Sequence, residues 1–206
     1  MSAVCRIVCA GDFEPRLLPA AQPGDFLIAA DAGLRHLKRA GRTPDLCVGD
    51  FDSLGTAPPD GPVIRLPVMK DETDMGAAGR IALERGFQTL EFYGVLGGAR
   101  FSHSLAAIQN LAGLKKRGAA CRIVDARCTV DVLCAETLTY PAGSTGSISV
   151  FALDGPAVVS LIGLLYPLAH HTLRPDFPLG VSNSLTGAPA QIVCEQGVVA
   201  VVREPA

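Results

Sequence analysis

The chain has 206 residues, 49% hydrophobic and 18% charged, which excludes a disordered polypeptide and supplies length for one large core or two small ones. Eighteen basic and 20 acidic side chains leave a net charge of −2, so no basic excess advertises a nucleic-acid partner. Aromatics reach only 5% and Trp is absent, which removes the stacking platform that single-stranded nucleic acid needs.

The N-terminal run MSAVCRIVCAGDF carries Arg6 inside it and Asp12 directly after it, and so reads as a buried strand rather than a signal peptide. VCRIVCA (4–10) and DFLIAA (25–30) have the continuous apolar character of strands buried on both faces. A helix over 32–40 follows, closed by Gly41. DLCVGD (45–50) and VIRL (63–66) are further strands, and Met75, Ala78, Ile81 and Ala82 give the spacing of a helix over 72–85 that Gly86 ends. TLEFYGV (89–95) is a strand entering a glycine turn; Leu105, Ile108, Leu111 and Ala112 then mark a helix that stops at Gly118. This alternation is the signature of βα units around a parallel sheet.

After CRIVDA (121–126) the pattern changes to short β-rich runs separated by Gly, Pro and Ser, with no helical pattern between them. The predicted fold class is therefore α/β: an N-terminal, mostly parallel α/β sheet domain over 1–126, followed by a C-terminal antiparallel β-sandwich over 127–206. The longest apolar stretch, 157–169, is broken by Ser160, Gly163 and Pro167 and falls short of the ~20 residues of a membrane helix, so no membrane association is expected. The cysteine count is seven, odd, with no CxxC and no zinc-finger spacing. Buried reduced thiols and a cytoplasmic protein are expected.

Three segments carry candidate chemistry. Gly49-Asp50-Phe51-Asp52-Ser53 lies at the carboxyl end of a predicted strand, where open α/β sheets bind ligands. In extended backbone Asp50 and Asp52 point to one side and repel unless a cation lies between them; the alternative is ordinary turn chemistry. Lys70-Asp71-Glu72-Thr73-Asp74 heads the 72–85 helix, with Asp71 and Asp74 on one face, or with Asp71 as a simple N-cap. Gly94 to His103 forms a glycine-rich strand-to-helix turn in which backbone N–H groups and Arg100 suit an anion. Further on, Ser182 and Asn183 offer neutral hydrogen bonds to a heterocycle, or form a polar loop. His170 and His171, adjacent in a strand, face opposite ways and do not make a metal pair.

Taken in order, AADAG (29–33), PDLCVGDFDS (44–53), KDETD (70–74), GGARFSH (97–103) and GVSN (180–183) resemble the thiamine pyrophosphokinase (thiamine diphosphokinase) family over nearly the whole chain. The resemblance implies a catalytic α/β domain, a thiamine-binding sandwich, and a homodimer with active sites between subunits. It implies transfer of diphosphate from ATP to the thiamine hydroxyl, with Mg²⁺ and release of AMP. On that footing Asp50, Asp52, Asp71 and Asp74 form the Mg²⁺–triphosphate cluster, and Asp71 or Asp74 accepts the hydroxyl proton. Arg100, with Lys70 as a second candidate, holds phosphate. Asp31, Ser102 and His103 shape the nucleotide pocket, and Ser182 and Asn183 hold the pyrimidine ring. The chain departs from the family pattern where Ser102 replaces the usual Asp, where Ala107 replaces an Asn, and in lacking Trp. The same acidic pattern would also suit a diphosphokinase acting on a pterin alcohol, or a non-catalytic nucleotide-binding relative.

Overall fold

The computed structural model describes residues 3–51 and 61–206. The chain divides into two compact units, Met1–Asn110 with Arg117–Ala126, and Leu111–Lys116 with Arg127–Ala206.

In the first unit the strands are β1 (Val4–Val8), β2 (Phe26–Ala30), β3 (Leu46–Gly49), β4 (Val63–Arg65), β5 (Thr89–Tyr93) and β6 (Ala120–Val124), in the order β6-β5-β1-β2-β3-β4. Every pairing among them is parallel. The helices are α1 (Gly33–Arg39), α2 (Asp74–Glu84) and α3 (Phe101–Lys116). Val8, Ala29 and Cys47 pack with Leu34 and Leu37 of α1 in one hydrophobic cluster. The helix α2 buries Met75, Ala77, Ala78, Ile81 and Ala82 and lies against β1, β2 and β3. Small alanines at the contact face let the helix approach the sheet closely. Helix limits are a residue or two tighter than the periodicity predicts, and α2 is capped by Thr73, whose hydroxyl accepts the Gly76 N–H at 3.1 Å, not by Asp71. Asp71 loses that role because the chain is still outside the helix there, and the β-region backbone needed at an N-cap falls at Thr73.

The second unit contains β7 (Thr129–Cys134), β8 (Thr137–Tyr140), β9 (Thr145–Ala152), β10 (Ala157–Ile162), β11 (Leu168–Leu173), β12 (Asn183–Thr186), β13 (Ala190–Gln196) and β14 (Val198–Glu204). They pair antiparallel as β12-β9-β14-β7 and as β11-β10-β13-β8. One core cluster joins Ile148, Val150 and Val201 of the first set with Val159, Leu161 and Ile192 of the second, so two sheets share a single apolar interior. Asn183 opens β12 rather than lying in a loop, because its backbone pairs with Ile148. His170 and His171 are both exposed, and His170 takes a left-handed backbone (φ 47°), so strict alternation does not apply there. Cys5, Cys9, Cys47, Cys121 and Cys194 are buried, and Cys128 and Cys134 are half-buried. Among the described residues, no helix is long and apolar enough to cross a membrane.

One buried ion-pair network fixes the central strands of the first unit. Arg6 in β1 reaches Asp25 at 2.5 Å and its cross-strand neighbour Glu91 at 3.0 Å, with side-chain exposures of 11%, 8% and 25%. The Asp25 carboxylate also accepts the backbone N–H groups of Val4 and Gln22. The Arg6 hydrogen bond is the chief reason that the Asp25 pKa lies below the usual carboxylate range. A carboxyl with a depressed folded-state pKa stabilises the fold above its ordinary value and loses that contribution as pH falls through the depressed one. We expect Asp25→Asn to cost about 1–3 kcal/mol near neutral pH. Denaturant midpoints of the two proteins should converge as pH is lowered below the ordinary Asp range, and a gap that is independent of pH would contradict this.

Candidate functional site

The strand order places the site. From β1 the chain steps outward through β2 and β3 to β4, then crosses back so that β5 lies on the opposite side of β1. The loops leaving β1 and β5 therefore diverge at a topological switch point, where parallel α/β sheets open a crevice. A cleft of about 190 Å³ lies there, entirely within the first unit. Its floor is Cys9 to Gly11 after β1 and Gly94 to Arg100 after β5, and its walls are Asp31, the first turn of α2 and one face of α3.

The two loops are stitched together by backbone. Gly11 N–H donates to Gly94 C=O at 2.6 Å, and Asp12 N–H donates to Leu96 C=O at 2.9 Å. A Cβ at Gly11 would lie 2.7 Å from Leu96 O and 2.8 Å from Gly94 O, so only glycine lets these chains approach. The glycine turn uses its own donors: Gly97 N–H goes to Ser104 Oγ and Gly98 N–H to Asp12 Oδ1. Those two groups are thus spent on loop rigidity, and the expected backbone anion site narrows to the Arg100 side of the turn. On the far wall, Thr73 Oγ1 accepts both from the α2 backbone and from Asn110 Nδ2 at 2.8 Å, which locks α2 to α3.

At the edge of the cleft the carboxylates converge. Asp31 follows β2, Asp50 follows β3 and Asp74 opens α2. Lys70 Nζ lies 2.7 Å from Asp50 Oδ2 and 3.1 Å from Asp74 Oδ1. Burial raises the Asp74 pKa; Lys70 works against that rise, while the charges of Asp31 and Asp50 add to it. Burial also disfavours the Lys70 ammonium, but its hydrogen bonds to Asp50 and Asp74 outweigh this and raise its pKa. Asp31 (φ 45°) and Phe51 (φ 61°) both hold left-handed backbone beside the cluster, a costly conformation that tends to mark functional sites. Asp52 and Ser53 lie outside the described residues.

The donor set is all oxygen and strongly anionic, with an ammonium already standing between two of its members. That chemistry fits a hard cation such as Mg²⁺. Among the described residues no three Asp, Glu, His or Cys side chains stand grouped as metal ligands. A Mg²⁺ that arrives with substrate phosphates takes only one or two protein carboxylates.

The sequence-derived candidates thus separate. Asp31, Asp74, Arg100 and His103 line the cleft; Lys70 joins it through its ion pair with Asp74, and Asp50 through its ion pair with Lys70. Asp71 is exposed and outside the lining, as is Ser102 on the first turn of α3. Ser182 and Asn183 belong to the second unit. There the Asn183 amide is fully engaged, donating to Tyr166 C=O at 2.6 Å and accepting from Tyr166 N–H at 2.9 Å. Ser182 is left-handed (φ 59°), and its N–H donates to Ser149 Oγ. Sequence reasoning missed Gly11, Thr73 and Asn110. Gly11 carried a usable signal, since it sits in the first strand-to-helix turn of a parallel sheet.

A parallel sheet with a carboxylate-rimmed switch-point cleft, together with an antiparallel sandwich unit, defines a two-unit α/β protein with a candidate ligand site in its first unit. Residues 20–123 match the sequence profile of the thiamin pyrophosphokinase catalytic domain, and residues 137–199 match that of the thiamin pyrophosphokinase vitamin B1 binding domain. The chain belongs to the thiamin pyrophosphokinase family. The crystal structure of thiamine pyrophosphokinase from Bacillus subtilis is similar at 24% identity and a TM-score of 0.84, over 98% of this chain and 99% of that one. The thiamin pyrophosphokinase of Geobacillus thermodenitrificans is similar at 26% identity and TM-score 0.79, over 98% of both chains. That of Candida albicans is similar at 16% identity and TM-score 0.76, over 98% of this chain and 89% of that one. No curated protein matches the chain in sequence.

The stitched loops make a sharp prediction. Gly11→Ala forces two backbone carbonyls apart and should cost about 1–3 kcal/mol. Hydrogen exchange should then accelerate at 94–98 ahead of the rest of the sheet; unchanged protection there would show that the two loops are not coupled.

Proposed function

We propose that the protein transfers diphosphate from ATP to the hydroxyl of thiamine, giving thiamine diphosphate and AMP, with Mg²⁺ as the required cation. The observation that carries this reading is the convergence of Asp31, Asp50 and Asp74 on the switch-point cleft of a chain that matches both domains of the family. Bound Mg²⁺ would neutralise phosphate charge as it builds on the departing AMP. Asp50, Asp74 and Asp52 are the residues that would hold it, with Asp71 approaching from the exposed rim. Arg100 and Lys70 bind phosphate oxygens, and His103 and Asp31 shape the pocket around the nucleotide. Asp74 lines the cleft whereas Asp71 does not, which favours Asp74 as the acceptor of the thiamine hydroxyl proton. Ser102, exposed and outside the lining, contacts the nucleotide only at its periphery.

In the second unit, Ser182 offers its hydroxyl to the pyrimidine ring, and Asn183 acts by fixing the segment at Tyr166. That unit also leaves Leu165, Tyr166, Phe177 and Leu179 more exposed than a monomer's surface favours, at 54%, 62%, 62% and 46%. We infer a homodimer that covers this surface, acting in the cytoplasm. Sedimentation should show a dimer at micromolar concentration; a fully active monomer would contradict it.

The test is formation of AMP and thiamine diphosphate, with hydroxymethylpterin as a competing acceptor. Preference for the pterin would replace thiamine as substrate, and nucleotide binding without product would make the protein a non-catalytic relative. Asp74→Asn should lower kcat by about a thousandfold with far-UV dichroism unchanged. Asp71→Asn should instead raise the KM for Mg·ATP more than it lowers kcat. Equal losses of kcat in the two variants would refute the separation of their roles.

A further inference from the structure

A surface lysine keeps its ammonium in water. Lys70 does not: its side chain is 13% exposed, and its Nζ bridges Asp50, which is 11% exposed, and Asp74, which is 28% exposed. These two carboxylates come from separate elements, one following β3 and one opening α2, so the ammonium is what joins them. Asp31 adds a third negative charge that is felt at Asp74. Without this ammonium Asp50 and Asp74 would face each other at short range in a partly buried site.

We propose that Lys70 is a resident counter-cation: it occupies the space between Asp50 and Asp74, and gives it up to a divalent cation far more readily when nucleotide phosphates arrive to receive the ammonium. This rests on the reading that the cluster takes Mg²⁺ with ATP. Two consequences follow from the charge balance. A divalent cation alone must evict a paired ammonium into water, so it binds weakly. The triphosphate offers the evicted ammonium a new anionic partner, so cation and nucleotide bind cooperatively, and by linkage each raises the affinity of the other equally. Lys70 is thereby a positioning residue for the cation as well as a phosphate contact.

The test is titration with Mn²⁺, a paramagnetic substitute for Mg²⁺, followed by electron paramagnetic resonance with and without a non-hydrolysable ATP analogue. Three proteins are compared: wild type, Lys70→Gln and Lys70→Arg. Lys70→Gln should bind Mn²⁺ alone about tenfold tighter than wild type, as expected for removal of one like-charged neighbour. The analogue should tighten Mn²⁺ binding in wild type by about tenfold and in Lys70→Gln by much less. Lys70→Arg, which keeps the charge, should bind Mn²⁺ alone no tighter than wild type. Equal Mn²⁺ affinities for wild type and Lys70→Gln would overturn the proposal while leaving the cation site in place. Absence of Mn²⁺ binding by all three proteins even with the analogue would overturn the cation reading itself. A wild-type measurement stands beside these should Lys70→Gln not fold: acylation of Lys70 by an amine-reactive probe should rise several-fold with saturating Mg²⁺ alone, with exposed Lys38 unchanged. Constant labelling of Lys70 would count against the proposal.

Discussion

The charge balance at Asp74, where Asp31 and Asp50 repel and Lys70 attracts, is the constraint on which the cleft depends. Neighbouring carboxylates in a partly buried site favour a cation between them, and for Asp50 and Asp74 the chain supplies one, Lys70. Each acidic residue is placed by a different element: Asp31 by the end of β2, Asp50 by the end of β3, Asp74 by the start of α2. The helix start also contributes, because its positive end favours Asp74 in the first turn. No single segment builds the site, and the sheet is what brings the three together.

That sheet works because its loops are tight. Parallel strands end in step, so the residues that follow β1, β2, β3 and β5 all emerge on one edge. The glycines at 11 and 94 let two of those loops share hydrogen bonds directly, which leaves room for a cleft rather than a bulge of side chains. The price is strain at Asp31 and Phe51, where non-glycine residues hold left-handed backbone. The sandwich unit solves a different problem. Its two sheets bury one apolar interior and leave Tyr166 outside, pinned at both backbone polar groups by Asn183.

Much of this was legible in the sequence for identifiable reasons. Strands buried on both faces, such as the one containing Cys5, Ile7 and Val8, announce themselves as apolar runs, and Gly41 and Gly86 close helices where a left-handed residue is needed. The acidic motifs were visible because two clusters of carboxylates fall at the ends of predicted elements of one parallel sheet, where such sheets bind ligands. What the sequence hid was pairing across distance. Nothing local shows that Lys70 reaches Asp50, that Asn110 braces Thr73, or that the Asn183 amide is consumed by Tyr166. Phe51 hid its left-handed backbone as well, since its side chain favours β structure. The N-cap of α2 moved from Asp71 to Thr73 because cap choice depends on where the backbone turns helical, a tertiary matter that separates two equally good capping residues.

The central claim is that the carboxylate-rimmed cleft serves diphosphoryl transfer, with attack at the β-phosphorus of ATP. Following ATP labelled at the γ-phosphorus, with thiamine and Mg²⁺, tests it most directly. The account predicts that the label appears in thiamine diphosphate in step with unlabelled AMP, and that omitting Mg²⁺ stops both. Label in thiamine monophosphate together with ADP, or label released only as inorganic phosphate, would contradict it.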